Sequence, residues 1–176
     1  MNIISNTSIS DNKIVQAKKI MQDLQSELMQ KIEQGYGPFL AAIYDDNGQL
    51  IAKEANTVIN EQCSHNHAEM NAIKSAELKL NTYNLAKYNL SLYVTSEPCM
   101  MCLGGIMWSG IKEVYYGVPS NKVEKITGFD EGFKPDWLNE FAKRGINVYG
   151  NIESQIGEEV LNKYVALGKK IYKPSR

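Results

Sequence analysis

The chain has 176 residues, with 19 basic and 20 acidic side chains and a formal net charge of −1, so no general basic surplus points to a polyanionic partner. It is 43% apolar and 22% charged, which is typical of a globular protein rather than a disordered one. Three cysteines are too few for a disulfide-stapled secreted scaffold. The N-terminal segment lacks a signal-peptide pattern, and no apolar run reaches about 18 residues, so we expect a cytoplasmic protein without a membrane span.

No repeat or Pro/Gly-rich linker interrupts the chain, so we interpret residues 1–176 as one domain. Apolar residues at three- and four-residue steps predict an amphipathic helix over residues 11–34, within an N-terminal helical segment 1–35. The segments "FLAAIYD" and "QLIAKEAN" flank "DNG", which predicts a β-hairpin.

After the hairpin, helical and strand patterns alternate. Helical patterns are found in "HAEMNAIKSAELKL", "CMMCLGGIMWSG", "DWLNEFAKRG" and "IGEEVLNKYVALGKK". Short strand patterns separate them in "LSLYVTS", "KEVYYGV" and "INVYG". A hairpin followed by this alternation predicts an α/β fold, a three-layer α/β/α sandwich with a mixed central sheet of about five strands.

Two of the three cysteines are spaced as metal ligands. Cys99 and Cys102 stand at i and i+3 behind Pro98, so on a helix both sulfurs lie on one face, close enough for one ion. The positive end of such a helix favours thiolates. Only Cys63 remains, so a site made of four cysteines is excluded by counting. The other ligands must come from the two histidines, His65 and His67.

The motif around His67 resembles one that is found in a known enzyme family. His67-Ala68-Glu69 has the form H-x-E, and H-x-E followed by P-C-x-x-C is the signature of zinc deaminases that act on nucleobases. At these residues, and over most of the chain from about residue 37 to 172, the sequence resembles the cytidine deaminase-like superfamily of zinc aminohydrolases. The resemblance implies one Zn²⁺ per subunit, held by His67, Cys99 and Cys102.

The resemblance also implies the chemistry. A zinc-bound hydroxide would be the nucleophile, because zinc lowers the pKa of its water to roughly 7. Glu69 would move the proton from that water to the substrate ring and then to the leaving amine. We expect His65 to lie on a loop at the rim and Cys63 to be a free thiol.

Other matched positions suggest how a substrate is held. Asn56 stands eleven residues before His67, where the superfamily has an asparagine that contacts the substrate ring, and the backbone N–H of Ala68 would face the substrate. Phe39, Trp108 and Phe133 are candidates for apolar or stacking surface against a flat purine.

Two further stretches resemble bacterial guanine deaminases. In "GFDEGF", residues 128–133, Asp130 would approach the substrate and support the proton traffic. In "GKKIY", Tyr172 would enter an active site from the C-terminal helical segment 150–176, which the resemblance implies is exchanged between the subunits of a homodimer. A carboxylate is a fitting acceptor for the N–H donors along one edge of guanine. The resemblance therefore implies the conversion of guanine to xanthine and ammonia.

Three alternatives stay open. A tRNA adenosine deaminase would need a basic face, and lysines do cluster near the C-terminus, although glutamates precede them. Cytosine, guanosine or a related small ring could occupy the same pocket. A non-catalytic zinc protein is the third alternative, and Glu69 speaks against it, because a structural site has no use for a general base.

Overall fold

The computed structural model describes residues 2–3 and 10–172 and shows a mixed sheet with helices on both faces. The strands are β1 (Asn2–Ile3), β2 (Leu40–Tyr44), β3 (Leu50–Ala55), β4 (Ser91–Ser96), β5 (Glu113–Val118) and β6 (Asn147–Gly150). Their order in the sheet is β1-β6-β5-β4-β2-β3. The α/β/α class and the five predicted strands are confirmed. The additional β1 has two described residues, which is too short for any alternating pattern, and it pairs antiparallel with β6.

The helices flank this sheet. They are α1 (Asp11–Glu33), α2 (Val58–Glu61), α3 (Ala68–Leu80), α4 (Met100–Ser109), α5 (Ser120–Thr127), α6 (Trp137–Lys143) and α7 (Ser154–Ala166), with a 3₁₀ turn at Leu85–Tyr88. The five predicted helices are present. The short α2 and α5 have no long apolar periodicity, and the sequence did not predict them. No helix in the described ranges has the length and hydropathy needed to cross a membrane.

Two apolar clusters cover the two faces of the sheet. One face packs against α1 and α7, where Met21, Leu28 and Leu161 are buried. The other packs against α3, α4 and α6, where Ile73, Ile106 and Phe141 are buried. Both faces are therefore closed by helices, as a sheet with a parallel centre requires.

The strand directions bring three loops to one edge of the sheet. β3 and β4 are both antiparallel to β2, and β5 is parallel to β4, so β3, β4 and β5 all point the same way. The segments that follow these strands lead to α3, α4 and α5, and they meet at the carboxyl edge of the sheet. This edge is where open α/β sheets bind ligands.

Candidate active site

The three predicted metal ligands converge at this edge. The Nδ1 atom of His67 lies 3.4 Å from Sγ of Cys99 and 3.6 Å from Sγ of Cys102, and the two sulfurs are 3.6 Å apart. Tetrahedral zinc with ordinary bond lengths separates two sulfurs by about 3.8 Å, and sulfur from nitrogen by about 3.6 Å. The donor set and its spacing therefore fit one zinc ion with one remaining position.

The fold places two helix N-termini against these ligands. His67 is the N-cap residue of α3 and Cys99 is the N-cap residue of α4, while Cys102 lies in the first turn of α4. The N-terminal ends of both helices carry partial positive charge, which favours thiolates. A hydrogen bond from Cys102, opposed by burial, lowers the pKa of Cys99 to about 4. Cys99 is thus a thiolate at neutral pH, the form that binds a metal.

A buried carboxylate lies beside the ligands. Glu69 is in the first turn of α3 and only 5% of it is exposed. Burial raises the pKa of Glu69, and the neighbouring Cys99 charge adds to the rise. The group of ligand-type side chains found in the described residues contains His67, Cys99 and Cys102 but not Glu69. The arrangement is that of a three-ligand metal site with an acid–base group next to it.

A cavity of about 630 Å³ opens onto these groups. Its lining includes Phe39, Val58, Ser64, His67, Glu69, Val94, Ser96, Glu97, Cys99, Met100, Met101, Phe129, Asp130, Glu131, Gly132 and Tyr172. Aromatic rings form part of the wall: the centroid of Phe129 lies 5.4 Å from that of Phe39 and 4.8 Å from that of Tyr172. Flat, mostly apolar walls with a few convergent polar groups suit a planar ring ligand.

Asn56 lies behind the cavity wall, where it contacts the lining residue Tyr172. Asn56 is fully buried, and its Nδ2 donates to the Tyr172 hydroxyl at 2.6 Å while its Oδ1 accepts from the backbone N–H of Val58 at 3.2 Å. The ring centroids of Tyr172 and His67 are 6.4 Å apart. Tyr172 therefore lies in the cavity of its own chain. Ala68, also fully buried, is the first residue of α3, where backbone N–H groups lack an intrahelical acceptor.

The loop after α5 brings two adjacent carboxylates to the cavity, and they differ in placement. Asp130 is exposed, and one of its oxygens accepts from the backbone N–H of Gly132 at 3.0 Å. Glu131 is buried, with 9% exposure, and burial raises its pKa to about 8 despite the nearby Lys134. Both residues line the cavity. The sequence analysis singled out Asp130 and missed Glu131, since neighbouring residues in a glycine-bounded turn carry no pattern that tells which one is buried.

Two of the aromatic candidates lie elsewhere. Trp108 is 89% exposed on α4 and Phe133 is 82% exposed, and neither is among the residues that line the cavity. Phe39 does line it. Trp108 faces away because the opposite side of α4, with Leu103 and Ile106, packs on the sheet. The expectation of stacking surface from Trp108 and Phe133 is therefore corrected.

The other predicted side chains lie at the rim. His65 is exposed, and its ring nitrogens lie 3.3 and 3.5 Å from Sγ of Cys63. All three cysteines are unpaired. Neither Cys63 nor His65 belongs to the ligand cluster identified within the described part of the chain.

A sandwich of this topology, with one imidazole and two cysteine sulfurs beside a buried glutamate, defines a zinc-dependent hydrolytic deaminase. The family model described as "Cytidine and deoxycytidylate deaminase zinc-binding region" matches residues 14–118, which is more than half of the chain. The chain belongs to this family.

Three similar proteins illustrate the range of activities in this family. The chain is 39% identical over 97 residues to a guanine deaminase of Bacillus subtilis, an alignment that covers 55% of this chain and 60% of that protein. It is 36% identical over 104 residues to a tRNA-specific adenosine deaminase of the same organism, covering 59% and 63% respectively. The solved structure of a guanine deaminase from Nitrosomonas europaea superposes with a TM-score of 0.81 at 31% identity, covering 94% of this chain and 98% of that one.

Proposed function

We propose that this chain is a zinc-dependent guanine deaminase that converts guanine to xanthine and ammonia. The observation that carries the proposal is the cluster of three ligand atoms at zinc spacing beside the buried Glu69, at the floor of a cavity with aromatic walls. Guanine deaminases among the similar proteins, one of them matched over nearly its whole length, support the choice of substrate.

A few groups in the site have separate roles in the reaction. Zinc, when bound, acts as a Lewis acid that lowers the pKa of a water to about 7. Glu69 is placed to accept a proton from the attacking water and to deliver protons to the ring nitrogen and the amino group. As the new carbon–oxygen bond forms at the amino-bearing carbon, the carbon–nitrogen bond to that amine breaks and ammonia leaves. Burial keeps Glu69 away from bulk water during this transfer.

The cavity walls are suited to holding a purine flat. Phe39, Phe129 and Tyr172 supply apolar ring surface, and carboxyl oxygens of Glu131 and Asp130 can accept hydrogen bonds from the N–H donors on one edge of guanine. Asn56 and the Ala68 N–H supply further polar contacts behind the ring. A site built to hydrogen-bond these donors would strongly reject bases that lack them.

A tRNA adenosine deaminase is the second candidate, and the related enzyme of Bacillus subtilis favours it. The cavity is lined by four carboxyl groups, those of Glu69, Glu97, Asp130 and Glu131, and none of the described lining residues is a lysine or arginine. Such an opening offers no cationic side chain to a phosphate backbone, and those contacts are the main source of affinity for nucleic acids. We therefore prefer the free base, and keep cytosine and guanosine as further competitors for the same pocket.

An ammonia-release assay tests the proposal across guanine, guanosine, cytosine, cytidine, adenine and a tRNA anticodon stem-loop. We expect turnover of guanine with a kcat/KM well above that of the others, and release of ammonia from guanine at least about 100-fold slower with Glu69→Gln. Preferential turnover of the stem-loop, with steep salt dependence, would replace this proposal by tRNA editing. A zinc-loaded protein inactive on every substrate would favour the non-catalytic alternative.

We also propose a cytoplasmic homodimer. Met101, Gly104 and Trp108 lie along one side of α4 at three- and four-residue steps, and the two large side chains are 37% and 89% exposed. Exposed apolar stripes of this kind are typical of interfaces. Exchange of the 150–176 segment between subunits stays a prediction, since Tyr172 reaches the cavity of its own chain.

A further inference from the structure

A nearly buried lysine lies between two carboxylates at the rim of the cavity. The Lys134 side chain is 10% exposed, and its Nζ is 3.1 Å from Oε1 of Glu97 and 3.9 Å from Oε2 of Glu131. The two glutamate side chains are 14% and 9% exposed. Lysine is almost never buried without a partner, so its position here depends on these carboxylates.

The same ammonium connects three segments around the site. Lys134 donates to Oγ of Ser120 at the start of α5, and the backbone N–H of Ser120 donates to Oε2 of Glu97 at 3.0 Å. Glu97 lies two residues before the metal ligand Cys99. Lys134 thus joins the metal-binding segment, the first turn of α5 and the loop that carries Glu131.

Phe129 anchors the start of the loop, because its ring packs on those of Phe39 and Tyr172. Glu131 donates its backbone N–H to Oε1 of Glu124 at 3.2 Å, a contact that holds the backbone of the loop but not the Glu131 side chain. Removing the ammonium would leave the nearly buried carboxyl groups of Glu97 and Glu131 without the lysine that they share. Glu97 would keep the backbone N–H of Ser120 as a donor, whereas Glu131 lies on a loop, so Glu131 is the group that would turn toward water.

We propose that Lys134 is a positioning residue for the deaminase reaction: it holds the Glu131 carboxylate in the cavity and fixes the 128–135 loop against the metal-binding segment. The inference rests on the proposed function, because it assigns Glu131 a role toward the substrate. Lys134 itself does not line the cavity. It acts through Glu131.

The first test is Lys134→Met, which removes the positive charge and keeps the approximate length of the side chain. We expect kcat/KM for guanine to fall about 10- to 100-fold, the usual range for a supporting partner of an active-site group, with zinc content unchanged. Lys134→Arg should recover most of the loss. The matched control is Lys143→Met, which removes a lysine paired with Glu140 at the exposed surface of α6 and should leave kcat/KM unchanged.

A double-mutant cycle separates positioning from general destabilisation. If Lys134 acts through Glu131, the addition of Lys134→Met to Glu131→Gln should lower kcat/KM by less than about threefold further, because neighbours that act together are not additive. Full multiplication of the two losses would overturn the proposal, as would a Lys134→Met enzyme with wild-type kcat/KM. If Lys134→Met does not fold, Lys134→Gln carries the same cycle.

Hydrogen exchange gives a readout that needs no substrate. Backbone amides of residues 128–134 should exchange at least about tenfold faster in Lys134→Met than in wild type or Lys143→Met, because local opening follows the loss of tertiary contacts. Unchanged exchange would contradict the proposal. If wild type turns over another base instead of guanine, the proposed function fails, and the cycle run with that base still decides the role of Lys134.

Discussion

The role of Glu69 is the point at which the chemistry can be tested most directly. Glu69→Gln keeps the shape of a side chain that is only 5% exposed, so it opens no cavity, and it removes the ability to accept and return a proton. General acid–base catalysis typically contributes 10²- to 10⁴-fold in rate, about 3–5 kcal/mol at 1.36 kcal/mol per decade. We expect kcat to fall by that factor with KM for guanine changed by less than about threefold.

The assay pairs steady-state ammonia release with elemental analysis of the same protein samples. Zinc should stay near one per chain, because His67, Cys99 and Cys102 are untouched and Glu69 is not in the ligand cluster. Glu77→Gln, two turns further along α3, is the matched control and should behave as wild type. A zinc-loaded Glu69→Gln enzyme within about tenfold of wild-type kcat would remove Glu69 from the proton path. Loss of zinc together with activity would instead make it a ligand.

Three other substitutions test the rest of the site. Cys99→Ser should abolish stoichiometric zinc binding. A chelator should lower the Tm of wild type but not of the variant, because the free energy of zinc binding is part of the free energy of folding. An equal drop in both Tm values would refute the assignment of Cys99 as a ligand. Gly37→Ala would place a Cβ 2.6 Å from Oδ1 of the buried Asn56. We therefore expect KM for guanine to rise about tenfold and the free energy of unfolding to fall by about 1–3 kcal/mol. Unchanged kinetics would count against a substrate role for Asn56. If the proposed dimer forms through α4, Trp108→Glu should convert it to a monomer in sedimentation velocity at micromolar concentration, whereas a variant that stays dimeric would show that the interface lies elsewhere.

The fold was predictable where the pattern of apolar residues is long and regular. The periodicity of α1 and the "DNG" turn between β2 and β3 both report local geometry, and Asp45 indeed accepts hydrogen bonds from the backbone N–H groups of Asn47 and Gln49 in that turn. The elements that the sequence did not predict, β1, α2 and α5, have two, four and eight residues. Segments this short exist because neighbouring strands and loops hold them, not because of their own sequence.

Features of the site that depend on local spacing could be predicted from the sequence, whereas features that depend on contacts between distant residues could not. Trp108 and Cys102 are on the same helix, and sequence alone does not say which side of α4 packs on the sheet. Asp130 and Glu131 are neighbours that both line the cavity, and the difference in their burial follows from the packing of Phe129 against Phe39 and Tyr172 and from the contact of Lys134 with Glu97. Each of these contacts joins residues far apart in the chain.

The sequence alone pointed to the metal donors and to the proposed general base, because imidazole, thiol and carboxyl groups were identified by their type and by spacings of two and three residues. Tertiary structure alone decided that Glu131 is buried and Asp130 exposed although both line the cavity, that Tyr172 bonds Asn56, and that Trp108 lies outside. These outcomes depend on how strands β3, β4 and β5 bring their following loops to one edge of the sheet, and no single segment contains that information.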